Sequence, residues 1–496
     1  MSLFPLKLPP GVFRNGTAYQ AQGRYYDANL IRFHQKAIQP FGGWVRVSDT
    51  ALEGPGRGIL AWRPTSFSRQ AVMGTPNKLY LWDDDTILDI TPPYFTDGIL
   101  DTFYGVGYGF GVYGSGAYGV ASGSGATQAT TWSLDNWGDH IVAVASHDRV
   151  VYEYANDGGP AMPVANAPSG IGVFVTAERV MVVLGSDGNL RQVNWSDFED
   201  NTNFTPGANS AAGDWRFQTD GVLVTARRVQ GTNLIFTTTD VHRMDYIGGT
   251  LLYRFDLLAA NSGLLAPLAV QTFQGGACWM GQKNFYLYAG GQVRILPCDI
   301  YDYVFGDINF EQAAKISSGH IAVFSEILFF YCSAASTSID RCISYNYRDG
   351  TWNIVDQEGL MNRGCWADVG AFNTPLAVGE DTHYLYAHET GWTNDGTPIL
   401  TDRYLTSGPV EIGNGDRIIE ATQLLPDEKT AGQIQLRFAQ RFTPEGPVYD
   451  RGPYTIAPYT DIRLTGRQIA VQMEAVADAD FRIGTLRIEG EPGGQR

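Results

Sequence analysis

The residues that most often carry out chemistry are scattered through this sequence. Its seven histidines stand at positions 34, 140, 147, 242, 320, 383 and 388, without the short spacings that a metal centre favours. His383 and His388 enclose the segment YLYA. In a β-strand this spacing puts the two side chains on opposite faces, so we do not expect them to share a metal ion.

Two further segments offer chemistry without the context that it needs. Asp83-Asp84-Asp85 could bind calcium, but it lacks the glycine and the terminal glutamate of an EF-hand loop. A charged hairpin turn between Trp82 and Thr86 explains it more simply. The glycines of residues 105–109 are compatible with a nucleotide loop, but no helix pattern and no P-loop lysine follow them. We therefore predict no enzyme, no cofactor and no metal site.

A propeller enzyme with carboxylates at the centre of its ring remains an alternative, because the catalytic acids could not be recognised among 52 Asp and Glu residues. The five cysteines, an odd number without a C-x-x-C pair, indicate neither a disulfide framework nor a zinc site. Cys332 and Cys342 flank one predicted hairpin, and their pairing stays open. Free buried thiols are the preferred interpretation for a protein made in a cytoplasm.

The net charge of −17 argues against simple nucleic-acid binding, which calls for a basic patch. It is compatible with a surface that DNA slides past, because like charges prevent adhesion. A general role in solubility is the alternative. The N-terminus lacks the apolar core of a signal peptide, and no window approaches the length of a membrane-spanning helix. The expectation is a protein made in the cytoplasm and without a membrane segment.

The most unusual segment is a Tyr/Gly-rich insert at residues 97–130. Tyrosines recur every four or five residues on a backbone in which about every second residue is glycine, which excludes a helix. Tyrosine on a glycine-rich backbone is typical of adaptable contact surfaces. The predicted interface or channel-loop residues are Tyr104, Tyr108, Tyr113 and Tyr118. The alternative is a surface loop without a function.

A second candidate contact region is the N-terminal arm, residues 1–50, which is locally basic in an acidic chain. We expect it to form strands around residues 29–33 and 44–47. Its predicted subunit-docking residues are Arg14, Arg24, Arg32 and Arg46. The alternative is that these arginines are ordinary edge-strand charges that oppose aggregation.

Short strands in a repeating pattern must position these candidates. The clearest copy is residues 283–295, KNFYLYAGGQVRI, where two glycines supply the positive φ angles of a tight hairpin. Six further copies of an apolar strand followed by an aromatic strand occur, spaced roughly 40–58 residues apart once the insert is removed, which is the range of propeller blades. We predict an all-β fold with a seven-bladed β-propeller over residues 51–412. A β-sandwich with evenly spaced hairpins is the alternative.

Residues 413–496 change to strict polar–apolar alternation, broken by turn signals such as Pro426-Asp427. This pattern predicts a small C-terminal antiparallel β-domain of about five strands, a common sheet size.

Motifs at both ends of the chain resemble those of tail proteins from short-tailed (podovirus-type) bacteriophages. At the N-terminal end they are Pro9-Pro10-Gly11-Val12, Arg14-Asn15-Gly16-Thr17, Gly23-Arg24-Tyr25-Tyr26-Asp27 and Gly42-Gly43-Trp44. At the C-terminal end they are Thr465-Gly466-Arg467-Gln468-Ile469, Arg482-Ile483-Gly484-Thr485 and Glu491-Pro492-Gly493-Gly494. The Tyr-Gly run looks like an insert of the same proteins.

The family is the tail nozzle or tail hub protein, also called a packaged-DNA stabilisation protein. The resemblance implies a virion structural protein: a homo-hexameric ring at the distal end of the tail, below an adaptor ring and near tail fibres, spikes or a needle. Double-stranded DNA would pass through the ring without specific binding, held until genome ejection. Two alternatives are a propeller-based carbohydrate-binding or hydrolytic protein of the same virion, and a cellular scaffold propeller.

Overall fold

A computed structural model describes residues 2–104, 126–249, 252–411, 418–426, 432–443 and 446–493. Within these residues seven of the four-stranded antiparallel sheets are the blades of a propeller. Strand makes up 47% of the protein and helix 4%, so the predicted all-β, seven-bladed propeller is confirmed. The innermost strands pack side by side around the axis, and the innermost strand of blade 7 contacts the innermost strand of blade 1, which closes the ring.

Each of blades 1 to 7 contains four strands in order from the axis to the rim. The innermost strands are Gly58–Trp62, Trp132–Trp137, Gly172–Val175, Leu223–Val229, Val270–Phe273, Ser317–Ile321 and Arg363–Ala367. The second strands are Gln70–Gly74, His140–Ala145, Met181–Leu184, Thr232–Thr237, Gly276–Met280, Glu326–Tyr331 and Leu376–Gly379. The third strands are Leu79–Trp82, Val151–Tyr154, Gln192–Trp195, Val241–Tyr246, Phe285–Ala289, Arg341–Asn346 and Leu385–His388. The outer strands are Ile87–Asp89, Met162–Pro163, Gly213–Arg216, Tyr253–Ala259, Gln292–Leu296, Thr351–Asp356 and Trp44–Arg46.

Burial explains the composition of these strands. The second strand of blade 5, Gly276–Met280, is buried throughout because neighbouring blades cover both of its faces, whereas the outer strand Gln292–Leu296 is largely exposed. Strands buried on both faces therefore have continuous apolar sequences. The predicted hairpin between the third and outer strands of blade 5 is present, with Gly290 at φ 61° and Gly291 at φ 81°.

Blade 7 takes its outer strand from the N-terminal arm. Trp44–Arg46 runs antiparallel to Leu385–His388, and the Trp44 indole N–H donates to the Asn394 side chain over 2.7 Å. We call the contact between blades 7 and 1 the closure seam. There Arg57, just before blade 1, forms a two-pronged ion pair with Glu380, with 2.8 Å between Nη2 and Oε1. Both side chains are buried.

Two further sheets form a β-sandwich from both ends of the chain. One contains Ser2–Leu6, Leu486–Pro492, Ile419–Leu425 and Thr460–Gly466. The other contains Tyr25–Asn29, Tyr404–Ser407, Gln468–Ala475, Ile434–Arg441 and Tyr449–Thr455, with Val410–Glu411 beside Gln468–Ala475. The sandwich lies against the outer strand of blade 6, where the Leu30 and Val12 amides donate to backbone carbonyls of that strand. The two units share one hydrophobic core.

The remaining elements are short. Ile31–His34 and Ala37–Pro40 form a hairpin, and Phe103–Tyr104 pairs with Ala126–Thr127. The helical segments are the α-helix Tyr301–Phe305 and the 3-10 turns Ser186–Gly188, Phe310–Lys315 and Ala322–Phe324. Among the described residues, no helix has both the length and the apolar character that crossing a membrane would take.

Candidate functional site: the insert stem and the central cavity

The Tyr/Gly-rich insert leaves the propeller between blades 1 and 2. Strands alternate in direction within a blade, so every link between blades emerges on the same face as the hairpins between second and third strands. We call this face the insert face. Residues 98–104 and 126–130, the insert stem, come together there. The Thr130 amide donates to the Ile99 carbonyl and the Ile99 amide to the Thr130 hydroxyl, each over 2.8 Å.

The link between blades 5 and 6 fixes this stem in place. The Gln312 side chain accepts from the Thr102 amide over 3.0 Å and donates to the Thr102 carbonyl over 2.9 Å. Lys315 forms an ion pair with Asp101 and donates to the Thr337 carbonyl over 2.7 Å. Gln312 and Lys315 are buried, so these contacts take the place of hydrogen bonds that their side chains would otherwise make to water. The insert therefore starts from a fixed point on the insert face.

The predicted tyrosines lie at or beyond the end of this stem. Tyr104 is the last residue described in the N-terminal part of the insert, and its backbone pairs with Ala126. Tyr108, Tyr113 and Tyr118 lie outside the described residues. Their role as interface or channel-loop residues stays a prediction.

Two of the four predicted docking arginines bind acidic groups of their own chain at the junction of arm and propeller. Arg14 forms an ion pair with Asp27 over 2.7 Å, and Arg24 forms one with Asp299 over 2.7 Å. Burial raises the pKa of Asp27, and Arg14 opposes that shift. The Arg24–Asp299 pair connects the arm to the link between blades 5 and 6, whereas the Arg14–Asp27 pair lies within the arm.

Arg32 is enclosed by its own chain. Its guanidinium lies between the rings of Phe41 and Phe324 and pairs with Glu389 over 2.6 Å and with Glu326 over 3.3 Å. The Arg32 side chain is 1% exposed. Burial raises the pKa of Glu326 to about 7, although Arg32 opposes the shift. Glu389 accepts two hydrogen bonds from the Arg32 guanidinium, whereas Glu326 makes one longer contact with it.

Arg46 is the most exposed of the four arginines. It lies 3.8 Å from Asp395, and its side chain is 42% exposed. Subunit docking by the four arginines stays a prediction. In this structure Arg24, Arg32 and Arg46 pair with acids outside the arm, whereas Arg14 pairs with Asp27 inside it. Sequence reasoning had no signal for partners that lie several hundred residues away.

The innermost strands surround a central cavity of about 340 Å³. Residues from all seven blades line it. Such a volume suits a single small molecule. Duplex DNA, whose major groove alone is about 12 Å wide, does not fit inside one propeller.

The charged groups of the central cavity lie on blades 2 and 4. Arg228 contacts Asp135 over 3.2 Å, and Asp135 also accepts from the Val175 amide of blade 3 over 2.8 Å. Burial raises the pKa of Asp135, and Arg228 opposes the shift. Arg227 donates to the Thr225 hydroxyl and the Ala226 carbonyl, each over 3.0 Å. Sequence reasoning did not single out this cluster.

This cavity bears on the hydrolytic alternative. Glycoside hydrolysis commonly uses two carboxylates. Of the described residues that line the cavity, Asp135 is the one acid, and an arginine already binds it.

The described residues also contain no group of three or more His, Cys, Asp or Glu side chains suited to a metal ion. All five cysteines are free thiols, and Cys332 and Cys342 are both buried.

Comparisons with known proteins found similar solved structures but no match among protein families or curated proteins. One similar solved structure is the Cps50 (Swd1) β-propeller domain of Myceliophteria thermophila, with 10% identity, a TM-score of 0.37, and coverage of 69% of this chain and 98% of that one. Another is a chain of the mitotic checkpoint complex, with 9% identity, a TM-score of 0.41, and coverage of 69% and 95%. At these values the similarity concerns fold alone.

Proposed function

We propose that this protein is a virion structural protein that forms the distal nozzle or hub of a short bacteriophage tail. Six copies would form a ring that closes the DNA channel after packaging and opens for genome ejection. The single observation that carries the proposal is that motifs from both ends of the chain meet in one sheet of the sandwich. That sheet contains Tyr25–Asn29, which includes Tyr25, Tyr26 and Asp27 of the N-terminal motifs, and Gln468–Ala475, which includes Gln468 and Ile469 of the C-terminal motifs. Motifs that lie apart in sequence thus form one structural unit.

The architecture also supports a ring of protomers. A closed ring needs two different rigid faces on each copy. The sandwich at the rim near blade 6 offers one such face, and the propeller offers others. DNA would pass along the ring axis, outside the individual propellers, because the central cavity is too small for a duplex. Acidic walls would repel the phosphate backbone, so the channel could be blocked without binding DNA.

The first test of this proposal is the composition of purified tails. We expect the protein to co-purify with tails at six copies, as measured by native mass spectrometry or by particle reconstruction. A count of three or twelve would refute the six-fold ring. Absence from purified particles would refute the virion assignment.

The second test concerns the insert as a closing element. Residues 105–125 are replaced by a short Gly-Ser linker, which keeps the stem pairs of Phe103 with Thr127 and of Tyr104 with Ala126. The propeller should stay folded, and particles should leak DNA or fail to complete their tails. The control replaces the exposed Phe67 by Ser in a loop on the opposite face. Normal DNA retention and infectivity in the linker variant would show that the insert is dispensable.

A further inference from the structure

The central cavity is positively charged inside an acidic protein. The described residues that line it include two arginines and one aspartate, so the wall carries about one net positive charge, in a chain of net charge −17. The proposed tail function does not call for this charge, because DNA does not enter the cavity. The cavity therefore needs an explanation of its own.

Arg227 is the residue that this explanation must address. Its guanidinium donates to the Thr225 hydroxyl, to the Ala226 carbonyl and, over 3.3 Å, to the Pro267 carbonyl. Among the described residues no carboxylate forms an ion pair with it. A guanidinium has five N–H donors, and three neutral acceptors leave its charge uncompensated. Burial lowers the pKa of Arg227, and Asp135 only partly opposes the shift, which indicates the same deficit of negative charge.

The groups around Arg227 are suited to an anion. Arg228, the next residue, has a single 3.2 Å contact to Asp135 and keeps further N–H groups. Gln271 and Thr272 of the adjacent blade 5 also line the cavity and add polar donors to its wall. Planar guanidinium groups bind carboxylates and phosphates with paired hydrogen bonds.

We infer that the central cavity is a binding site for a small oxyanion, a phosphate or carboxylate group, bound by Arg227, with Arg228 adding positive charge to the cavity wall. The ligand supplies the negative charge that the cavity wall lacks. A purely structural role for Arg227, connecting blades 4 and 5 through the Pro267 carbonyl, is the competing explanation. The two explanations predict different results, because only the first predicts that anions bind in the cavity.

The experiment titrates the full-length protein with inorganic phosphate and separately with malonate, using calorimetry and ³¹P line broadening, with KCl at matched ionic strength as the blank. We expect saturable binding of one equivalent. Binding of phosphate alone assigns the site to tetrahedral anions, and binding of malonate alone assigns it to carboxylates. Competition between the two assigns it to both. No saturable binding of either probe would overturn the proposal.

Three variants locate the site. Arg227→Gln should weaken binding about tenfold or more, because hydrogen bonds to charged groups are worth about 1.5–3 kcal/mol. The matched control is Arg254→Gln, on the exposed outer strand of blade 4, which should bind as the wild type does. Asp135→Asn removes the competing carboxylate and should strengthen binding several-fold. Equal weakening by the two arginine variants, or weaker binding by Asp135→Asn, would overturn the proposal. If Arg227→Gln fails to fold, Arg228→Gln is measured in its place. We expect Arg228→Gln to bind the anions more weakly than the wild type does, and unchanged binding would contradict the site.

Discussion

The closure seam and the insert stem both rest on an ion pair with a buried cation, but the two pairs differ in the exposure of the acid. At the seam, Arg57 and Glu380 are 0% and 3% exposed. At the stem, Lys315 is 1% exposed, whereas Asp101 is 48% exposed. When the stem pair separates, water can solvate Asp101, but neither partner at the seam has that option. The seam is therefore part of the fold, and the stem is an attachment that can be released.

The electrostatics of Glu380 agree with this difference. Burial by itself would raise the pKa of Glu380, but Arg57, its hydrogen bonds and Lys315 together hold that pKa below its ordinary value. A buried carboxylate that stays ionised depends on its partners. Removing one partner of such a pair costs far more than the net contribution of the pair.

The largest expected effect is at the seam. Glu380→Gln leaves Arg57 as an uncompensated buried cation and should lower the free energy of unfolding by about 3–5 kcal/mol, measured by urea denaturation. The matched control is Asp89→Asn, in the exposed pair with Lys78, which should change stability by less than about 1 kcal/mol. Wild-type stability in Glu380→Gln would mean that the seam does not depend on this pair.

The next effect is at the stem. Gln312→Ala leaves the Thr102 amide and carbonyl without their buried partner, at a cost of about 1–3 kcal/mol. Hydrogen exchange should accelerate about tenfold or more in residues 98–104 and 126–130, while amides of the blades keep their rates. The control is Glu311→Ala, an exposed side chain of the same 3-10 turn. Equal acceleration throughout the propeller would contradict a separately releasable stem.

The pH dependence should differ in sign between two buried glutamates. The pKa of Glu326 is raised in the folded state, so its contribution to stability falls as pH rises from about 4.5 through about 7. The pKa of Glu380 is lowered, so its contribution is lost as pH falls below about 4.5. Glu326→Gln keeps the Arg32–Glu389 pair and should flatten the unfolding free energy between pH 4.5 and 7. An unchanged pH profile would show that Glu326 is ionised throughout this range.

The smallest effect is expected at the arm's exposed arginine. Arg46→Ala removes a 3.8 Å contact with Asp395, and the unfolding free energy of the isolated protein should change by less than about 1 kcal/mol. If Arg46 docks a neighbouring subunit, incorporation into tails should fall while the melting temperature of the isolated protein stays constant. Normal incorporation would remove Arg46 from the docking prediction.

Much of the propeller could be predicted because second and third strands such as Met181–Leu184 and Phe285–Ala289 are apolar or aromatic and end at turn residues. Most of the innermost strands were not recognised. Ser317–Ile321, with the sequence SSGHI, has a weak apolar pattern because part of it lines the polar central cavity. The sequence also indicated a strand at residues 44–47, but its partner in blade 7 lies about 340 residues away and local patterns contain no trace of it.

The candidate site was predictable only in part. The Tyr/Gly composition identified the insert, but Gln312 and Lys315, which fix its stem, belong to a link about 210 residues further along the chain. Both residues lie in the 3-10 turn Phe310–Lys315, and nothing in that segment alone points to the insert. The partners of the arm arginines and the charges of the central cavity arise only when distant strands meet.

Lys315 interacts with both the insert stem and the closure seam, and this has a consequence for the response of the protein to force. It binds Asp101 of the stem and also contributes to the low pKa of Glu380 at the seam. A force that pulls on the insert acts first on the Asp101 contact, which water can replace, while Lys315 keeps its bond to the Thr337 carbonyl. We expect single-molecule pulling on the insert to give a short, reversible extension at low force, followed at higher force by opening of the ring. A single irreversible rupture would contradict this order. The insert could then be pulled aside and return many times while the propeller stays closed.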